Sequence, residues 1–260
     1  MAFSIQRYSI RMMIIALIFS VAFGAQSHAS QPLTGLKQRG DATGEKMLIE
    51  RSQTAKGAAR LHKGIDVSGH SGTVDWAALM AKGYSFAFVK ATEGVDLEDS
   101  SFDDHWLAMK QAGIIRGAYH FYVTEDDPHE QAQFFIDTVV LDPGDLAPVV
   151  DIELIGHGKK PGLSQRFKTW LDLIEKRYGV KPIIYTTAKF WNEHLSSEFG
   201  GYPLWIAEYE VEKPSLPNGW STWHLWQWKG DANVPGVEKG ADLNRSNNNG
   251  VDLLELIIPH

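Results

Sequence analysis

Two acids separated by one residue, Asp151 and Glu153, close the apolar run Ala147-Pro148-Val149-Val150-Asp151-Ile152-Glu153-Leu154. The run has the composition of a short β-strand. In a strand, residues i and i+2 share a face, with Cα atoms about 6.5–7 Å apart. Asp151 and Glu153 therefore point the same way, and Ile152 points into packing. Carboxylates held side by side repel, and at least one tends to keep its proton near neutral pH. A protonated acid beside an ionised one is the equipment for glycoside hydrolysis, which needs a proton on the leaving oxygen and negative charge near an oxocarbenium-like centre. A bare D-x-E is more often a strand end with two solvated acids, so the rest of the chain has to decide.

The elements that would position this pair alternate along the chain. Strand patterns fall at 63–68, 86–94, 117–122, 147–154, 181–186, 204–209 and 223–228, with a short one at 241–244. Helical patterns fall between the early strands, at 75–82, 102–111, 128–139 and 164–178, with one or two turns at 190–195. Alternation of this kind implies parallel β–α units. The expected fold is α/β: an irregular single-domain, TIM-like β/α barrel with eight strands and fewer than eight helices. In such a barrel the chemistry sits at the C-terminal strand ends. Those ends carry Asp66, Glu93, His120, Tyr122, Asp151, Glu153, Tyr185, Glu208, Tyr209, Gln227, Trp228 and Asp242, a rim of acids and aromatics from separate parts of the chain.

Aromatic rings pack on the C–H faces of sugars, and the chain has nine tryptophans. Alternation puts Trp226 and Trp228 on one face of their strand and Gln227 on the other, so not all can line a cleft. Tyr119 or Tyr122, Tyr185 and Trp205 are the candidate sugar contacts, and Glu93, Glu208 and Gln227 lie on the same rim. His120, His129 and His157 lie near acids, but no HExxH or paired-His spacing occurs, and no P-loop, GxGxxG or GxSxG motif is present. No metal and no cofactor is expected.

The 260 residues carry a net charge of −7 with acids and bases interspersed, which gives no nucleic-acid face. No cysteine is present, which removes disulfides, thiolate metal sites and a cysteine nucleophile. Near the N-terminus, Arg7 and Arg11 precede the uncharged run at 12–23, and Ser27-His28-Ala29 supplies small residues at a cut site. This is the layout of a signal peptide over residues 1–29. The run is shorter than the roughly 20 apolar residues of a membrane span, although an uncleaved anchor is the alternative. Residues 30–61 read as a flexible polar linker or arm. The expected product is an exported protein, periplasmic or extracellular, with no stable membrane association after cleavage, acting as a monomer.

The segments GIDVS (64–68), FVKATEG (88–94), GAYHF (117–121), PVVDIE (148–153), IIYTT (183–187), YPLWIAEY (202–209), LWQW (225–228) and DLN (242–244) resemble, in order and spacing, the glycoside hydrolase family 25 muramidases, the Chalaropsis-type lysozymes. The likeness runs from about His62 onward. It implies a barrel of residues 62–260 that cleaves the β-1,4 bond between N-acetylmuramic acid and N-acetylglucosamine, with peptidoglycan glycan strands as partner. It also implies Glu153 as general acid, and Asp151 as its partner, polarising the substrate's acetamide or steadying charge at C1. Asp66 and Asp242 would be the further acids of the groove, and Tyr119, Tyr185, Trp205 and Gln227 sugar contacts. Burial and the charge of Asp151 are expected to keep Glu153 protonated. Inversion and retention both stay open. Another acetamido-sugar hydrolase, chitinase-like, and an inactive wall-binding module are the rival readings. Arg245-Ser246-Asn247-Asn248-Asn249 departs from the family's usual tail and puts the local shape beside Asp242 in question. No wall-binding repeats are expected among the residues after DLN.

Overall fold

The computed structural model describes residues 61–156, 161–247 and 253–259. The expected signal peptide and all but the last residue of the expected linker lie outside the described residues. Among the described residues no helix is long and apolar enough to cross a membrane.

In chain order the elements are β1 (Lys63–Val67), α1 (Trp76–Ala81), β2 (Tyr84–Glu93), β3 (Leu97–Glu98), α2 (Phe102–Ala112), β4 (Ile115–Phe121), α3 (Pro128–Thr138), β5 (Val149–Asp151), α4 (Leu163–Tyr178), β6 (Ile183–Thr186), α5 (Ala188–His194), β7 (Leu204–Ala207), β8 (Leu225–Ala232) and β9 (Ala241–Ser246). The sheet runs β1-β9-β8-β7-β6-β5-β4-β2, and β1 also pairs with β2, which closes a ring of eight strands. The two-residue β3 only extends β2 at its edge. The irregular barrel with fewer than eight helices is thus the observed architecture.

One expectation changes. The last strand is not parallel: β9 runs antiparallel to both β1 and β8. It follows β8 through a hairpin, whereas a parallel neighbour would need a crossover of a dozen or so residues, usually helical. Its beginning, not its end, therefore lies on the rim with the C-terminal ends of the other strands.

The helices start and stop where their caps dictate. Asp75 accepts from the Ala78 N–H at the head of α1, and Asp127 precedes Pro128 at the first turn of α3. Gly113 and Gly179 end α2 and α4 in the left-handed conformation. Phe167, Trp170, Leu171 and Ile174 of α4 are buried, the stripe that the helical period specified.

Alternation along the strands builds two cores. Ala87 and Val89 of β2 pack outward under the helices, while Phe86 and Phe88 pack inside the barrel with Val149, Ile183, Trp205 and Leu225. The inner phenylalanines fit because a glycine stands opposite each: Gly64 pairs with Phe86, and Gly117 with Phe88. A Cβ at either glycine would come within 2.4 Å of the facing ring. Phe88 in turn stacks on Trp205, centroids 4.4 Å apart, and Trp205 lines the cleft described below. Gly117→Ala is expected to destabilise by about 1–3 kcal/mol through overpacking. Urea unfolding would check this; a wild-type midpoint would show that the ring yields freely.

The other end of the barrel is plugged. Leu253 and Leu256 join the inner core, and the Ala147 N–H donates to the Leu256 carbonyl at 2.7 Å. Nearby, Arg116 makes a two-pronged ion pair with Asp145, at 2.7 and 3.0 Å. Among the described residues the opposite rim is the open one.

Candidate active site

The open rim gathers the acids. Asp66 lies in β1, Asp151 ends β5 with Glu153 just beyond it, and Asp242 is the second residue of β9. Asp66 and Asp242 are register partners across β1 and β9. All four line one cleft of about 220 Å³, together with Lys90, Tyr119, Tyr185, Trp205 and Gln227. A second hollow of about 230 Å³ shares Asp66, Tyr119 and Asp242 and extends the cleft toward Asp231 and Lys239.

The floor is a chain of hydrogen bonds. Asn244 Nδ2 and Gln227 Nε2 donate to Asp66 Oδ1, at 2.6 and 2.9 Å. The hydroxyls of Tyr185 and Tyr209 donate to Gln227 Oε1, at 2.9 and 2.5 Å. Trp205 Nε1 donates to Asn244 Oδ1 at 2.9 Å. Donors that hold each amide oxygen leave the amide NH₂ as the only group that can face Asp66. The aromatic side chains therefore set the orientation of both amides, and the amides fix the carboxylate.

The acids are pushed toward their neutral forms. Burial first, and then the charge of Asp242, raises Asp66 to about 7, against the two amide donors. Burial holds Asp151 well above the carboxylate range; Glu153 and Asp66 add to this, and Lys90 opposes it. Among the described residues Asp151 Oδ1 is buried without a hydrogen-bond partner, so no hydrogen bond at that oxygen offsets the cost of charging it. Burial, then the charge of Asp242, raises Glu153. Asp242 is raised by burial although the Asp231 N–H donates to its Oδ1 at 2.6 Å. The expected direction for Glu153 is met, with burial as the main cause and Asp242 as a neighbouring charge, while the mutual repulsion of Asp151 and Glu153 is felt in the rise of Asp151. Such a cleft keeps carboxylic acids protonated at a pH where surface carboxylates are ionised.

The model of Glycosyl hydrolases family 25 matches residues 65–237. The chain belongs to glycosyl hydrolase family 25. It is therefore a glycosidase, and the acids of its cleft are of the type that such chemistry uses. Lysozyme M1 of Streptomyces globisporus is 36% identical over 207 residues, 75% of this chain and 70% of that protein. An uncharacterized protein, YegX, of Escherichia coli (strain K12) is 37% identical over 186 residues, 70% of this chain and 68% of that one. Among solved structures, a bacterial lysozyme from Streptomyces coelicolor superposes with a TM-score of 0.65 at 35% identity, covering 75% of this chain and 94% of its own. A family 25 lysozyme from Aspergillus fumigatus gives 0.68 at 28% identity, covering 77% and 100%. The family 25 match stops before Asp242 and Asn244, which β9 carries back to the rim.

Some rim candidates belong elsewhere. Tyr122 does not line the cleft: it is buried on the helix side, edge-on to Phe167 at 5.4 Å. Alternation after Tyr119 and Phe121, which do line the cleft, sends Tyr122 the other way. His120 shares that side, bonded to Thr92 and Gln131, and burial takes its pKa down to about 3, so it is a neutral core residue. Glu93 also lies off the cleft; it holds Lys90 Nζ at 2.5 Å, and Lys90 is the group that faces the acids. Glu208 accepts from the Ser215 N–H at 2.5 Å and secures the loop between them instead of lining the cleft. Trp228 is on the surface outside the cleft. His157 lies outside the described residues.

Lys90, Ser68 and His70 line the cleft without having been singled out by the sequence, and Asn244 braces Asp66 from below. Ser68, Lys90 and Asn244 sat inside the GIDVS, FVKATEG and DLN segments, so a signal was present; His70 follows β1 in the single 3-10 turn Gly69–Ser71 and gave none. The unusual tail residues continue β9 through Ser246, with the Arg245 guanidinium 3.9 Å above the Trp226 ring. Beside Asp242, then, β9 pairs in continuous register with β1 but against a bulged β8, whose register shifts between Gln227 and Lys229 and between Lys229 and Ala232; Asn248 and Asn249 lie outside the described residues.

Proposed function

We propose that this chain is an N-acetylmuramidase, a lysozyme that cleaves the β-1,4 bond between N-acetylmuramic acid and N-acetylglucosamine in peptidoglycan. The observation that carries the reading is the meeting of four carboxyl groups in one aromatic-walled cleft of a family 25 barrel. Relatives named lysozyme and N,O-diacetylmuramidase support the substrate.

Glu153 is the general acid. It lies two residues past the end of β5, its pKa is raised, and it is less enclosed than Asp151, so a glycosidic oxygen can reach it. Asp151 lies beside it and stabilises positive charge as the bond to C1 breaks, or orients the acetamide of the cleaved sugar. Asp66 and Asp242 supply the field across the groove, where fixed charges act strongly because little water intervenes. Tyr119, Tyr185 and Trp205 offer faces and edges to the sugar rings. Gln227 acts through Asp66, which it holds, and is a positioning residue.

Residues 1–29 direct export and residues 30–61 link the leader to the barrel, so the enzyme meets the wall in the periplasm or outside the cell as a monomer. N-terminal sequencing of the exported protein should begin at Ser30. The activity itself is tested by the turbidity of purified sacculi, which should fall on addition of the protein. Chitin oligomers should be poor substrates by comparison. Rapid chitin cleavage with intact sacculi would favour the chitinase-like reading, and no cleavage of either would mark an inactive wall-binding module.

A further inference from the structure

Beyond the rim of the cleft, Tyr209, Glu210, Val211, Trp228, Lys229 and Asp231 line a wider concave surface of about 760 Å³. We infer that this surface is a further saccharide subsite, which stacks a pyranose ring of the same glycan strand on Trp228 and Tyr209. The inference rests on the muramidase reading.

Three large apolar side chains are exposed together here: Tyr209 at 45%, Val211 at 41% and Trp228 at 37%. Scattered exposed apolar residues are ordinary, but a group facing one hollow marks a contact surface. Gly230 keeps the surface open, since a Cβ there would stand 3.3 Å from the Tyr209 ring. Glu210 and Asp231 are the non-glycine residues with positive φ in the described chain, at 58° and 49°, and both line this hollow. Backbone strain of this kind persists where surrounding structure enforces it, and it concentrates at ligand clamps and active sites.

The surface is continuous with the catalytic cleft. The Tyr209 hydroxyl reaches Gln227, which holds Asp66. The Asp231 N–H reaches Asp242, and Asp231 also lines the hollow that adjoins the acids. A strand lying in the cleft would meet this surface next. The lining charges are mixed, Glu210 and Asp231 against Lys229, so the surface selects no simple ion. Flat aromatic faces with carboxylates at their edge suit a neutral sugar, whose C–H face packs on the rings while its hydroxyls donate to the acids.

The test uses the full-length protein on peptide-free glycan strands of alternating N-acetylglucosamine and N-acetylmuramic acid, a tetrasaccharide and an octasaccharide. Trp228→Ala should lower kcat/KM on the octasaccharide about tenfold more than on the tetrasaccharide, through KM, with unchanged melting temperature. Trp228→Tyr should restore most of the loss. Equal losses on both probes, or none, would overturn the subsite. So would a loss confined to peptide-bearing wall, which would make the surface a stem-peptide contact. Wild-type protein that cuts neither glycan would sink the muramidase reading and the subsite together, a result distinct from normal cleavage with an unchanged length ratio.

Discussion

Glu153→Gln should lower turnover of peptidoglycan by about 10²–10⁴-fold, the usual worth of a positioned general acid. The substitution keeps shape and volume and removes only the proton donor. Among the described residues Glu153 makes no hydrogen bond that the fold depends on, and it lies just past the end of β5, so the barrel should remain intact. Replacing a carboxyl whose ionised form is disfavoured by burial should, if anything, add stability. Glycan binding should stay near wild type, because the aromatic walls and the Asp66 network are untouched. Release of reducing ends from sacculi, alongside binding of a peptide-free oligosaccharide, would measure both quantities. Digestion by the variant at the wild-type rate would remove Glu153 from the mechanism.

Asp66→Asn should stabilise the protein at and above neutral pH, while impairing catalysis. Asp66 titrates near 3.8 in the unfolded chain and near 7 in the fold. A carboxyl raised in this way binds more protons folded than unfolded, so its contribution to stability falls as pH rises through that window. At about 1.4 kcal/mol per pKa unit, the upper bound is on the order of 4 kcal/mol. Asparagine retains one oxygen for Gln227 and Asn244 to donate to, and replaces the other, ionisable oxygen with an uncharged NH₂. Buried histidines work in the opposite sense: His105, His120 and His224 are all lowered by burial, so they favour the fold as pH rises. The wild-type curve sums both effects. The difference between variant and wild type isolates Asp66, and it should be small near pH 4 and grow toward pH 7–8. Urea unfolding at several pH values would measure it. A flat difference would mean that Asp66 carries no raised pKa, and that the two amides compensate fully for its burial.

These two results share a cause. The cleft concentrates carboxyl groups that the fold would be more stable without, and the cost is carried by packing elsewhere. The inner core contributes through Phe86 and Phe88 seated against Gly64 and Gly117, and the outer core through the buried stripe of α4.

The sequence by itself determined the alternation of strands and helices, the inward stripe of α4, and the common direction of Asp151 and Glu153. Each follows from a local period of about 2 or 3.6 residues, which needs no knowledge of partners. It also placed Asp66 at a strand end, since a short apolar run followed by a turn marks that end locally. Tertiary structure alone decided the direction of β9, and with it that Asp242 reaches the rim from the start of a strand and pairs with Asp66. It decided that Tyr119 faces the cleft and Tyr122 the helices, that Glu93 serves Lys90, and that two tyrosines and a tryptophan orient the amides under Asp66. Those outcomes depend on how the barrel closes and which side chains meet across it. Closure brings together β1 and β9, whose partners Asp66 and Asp242 lie far apart in sequence, and no local pattern encodes such a contact.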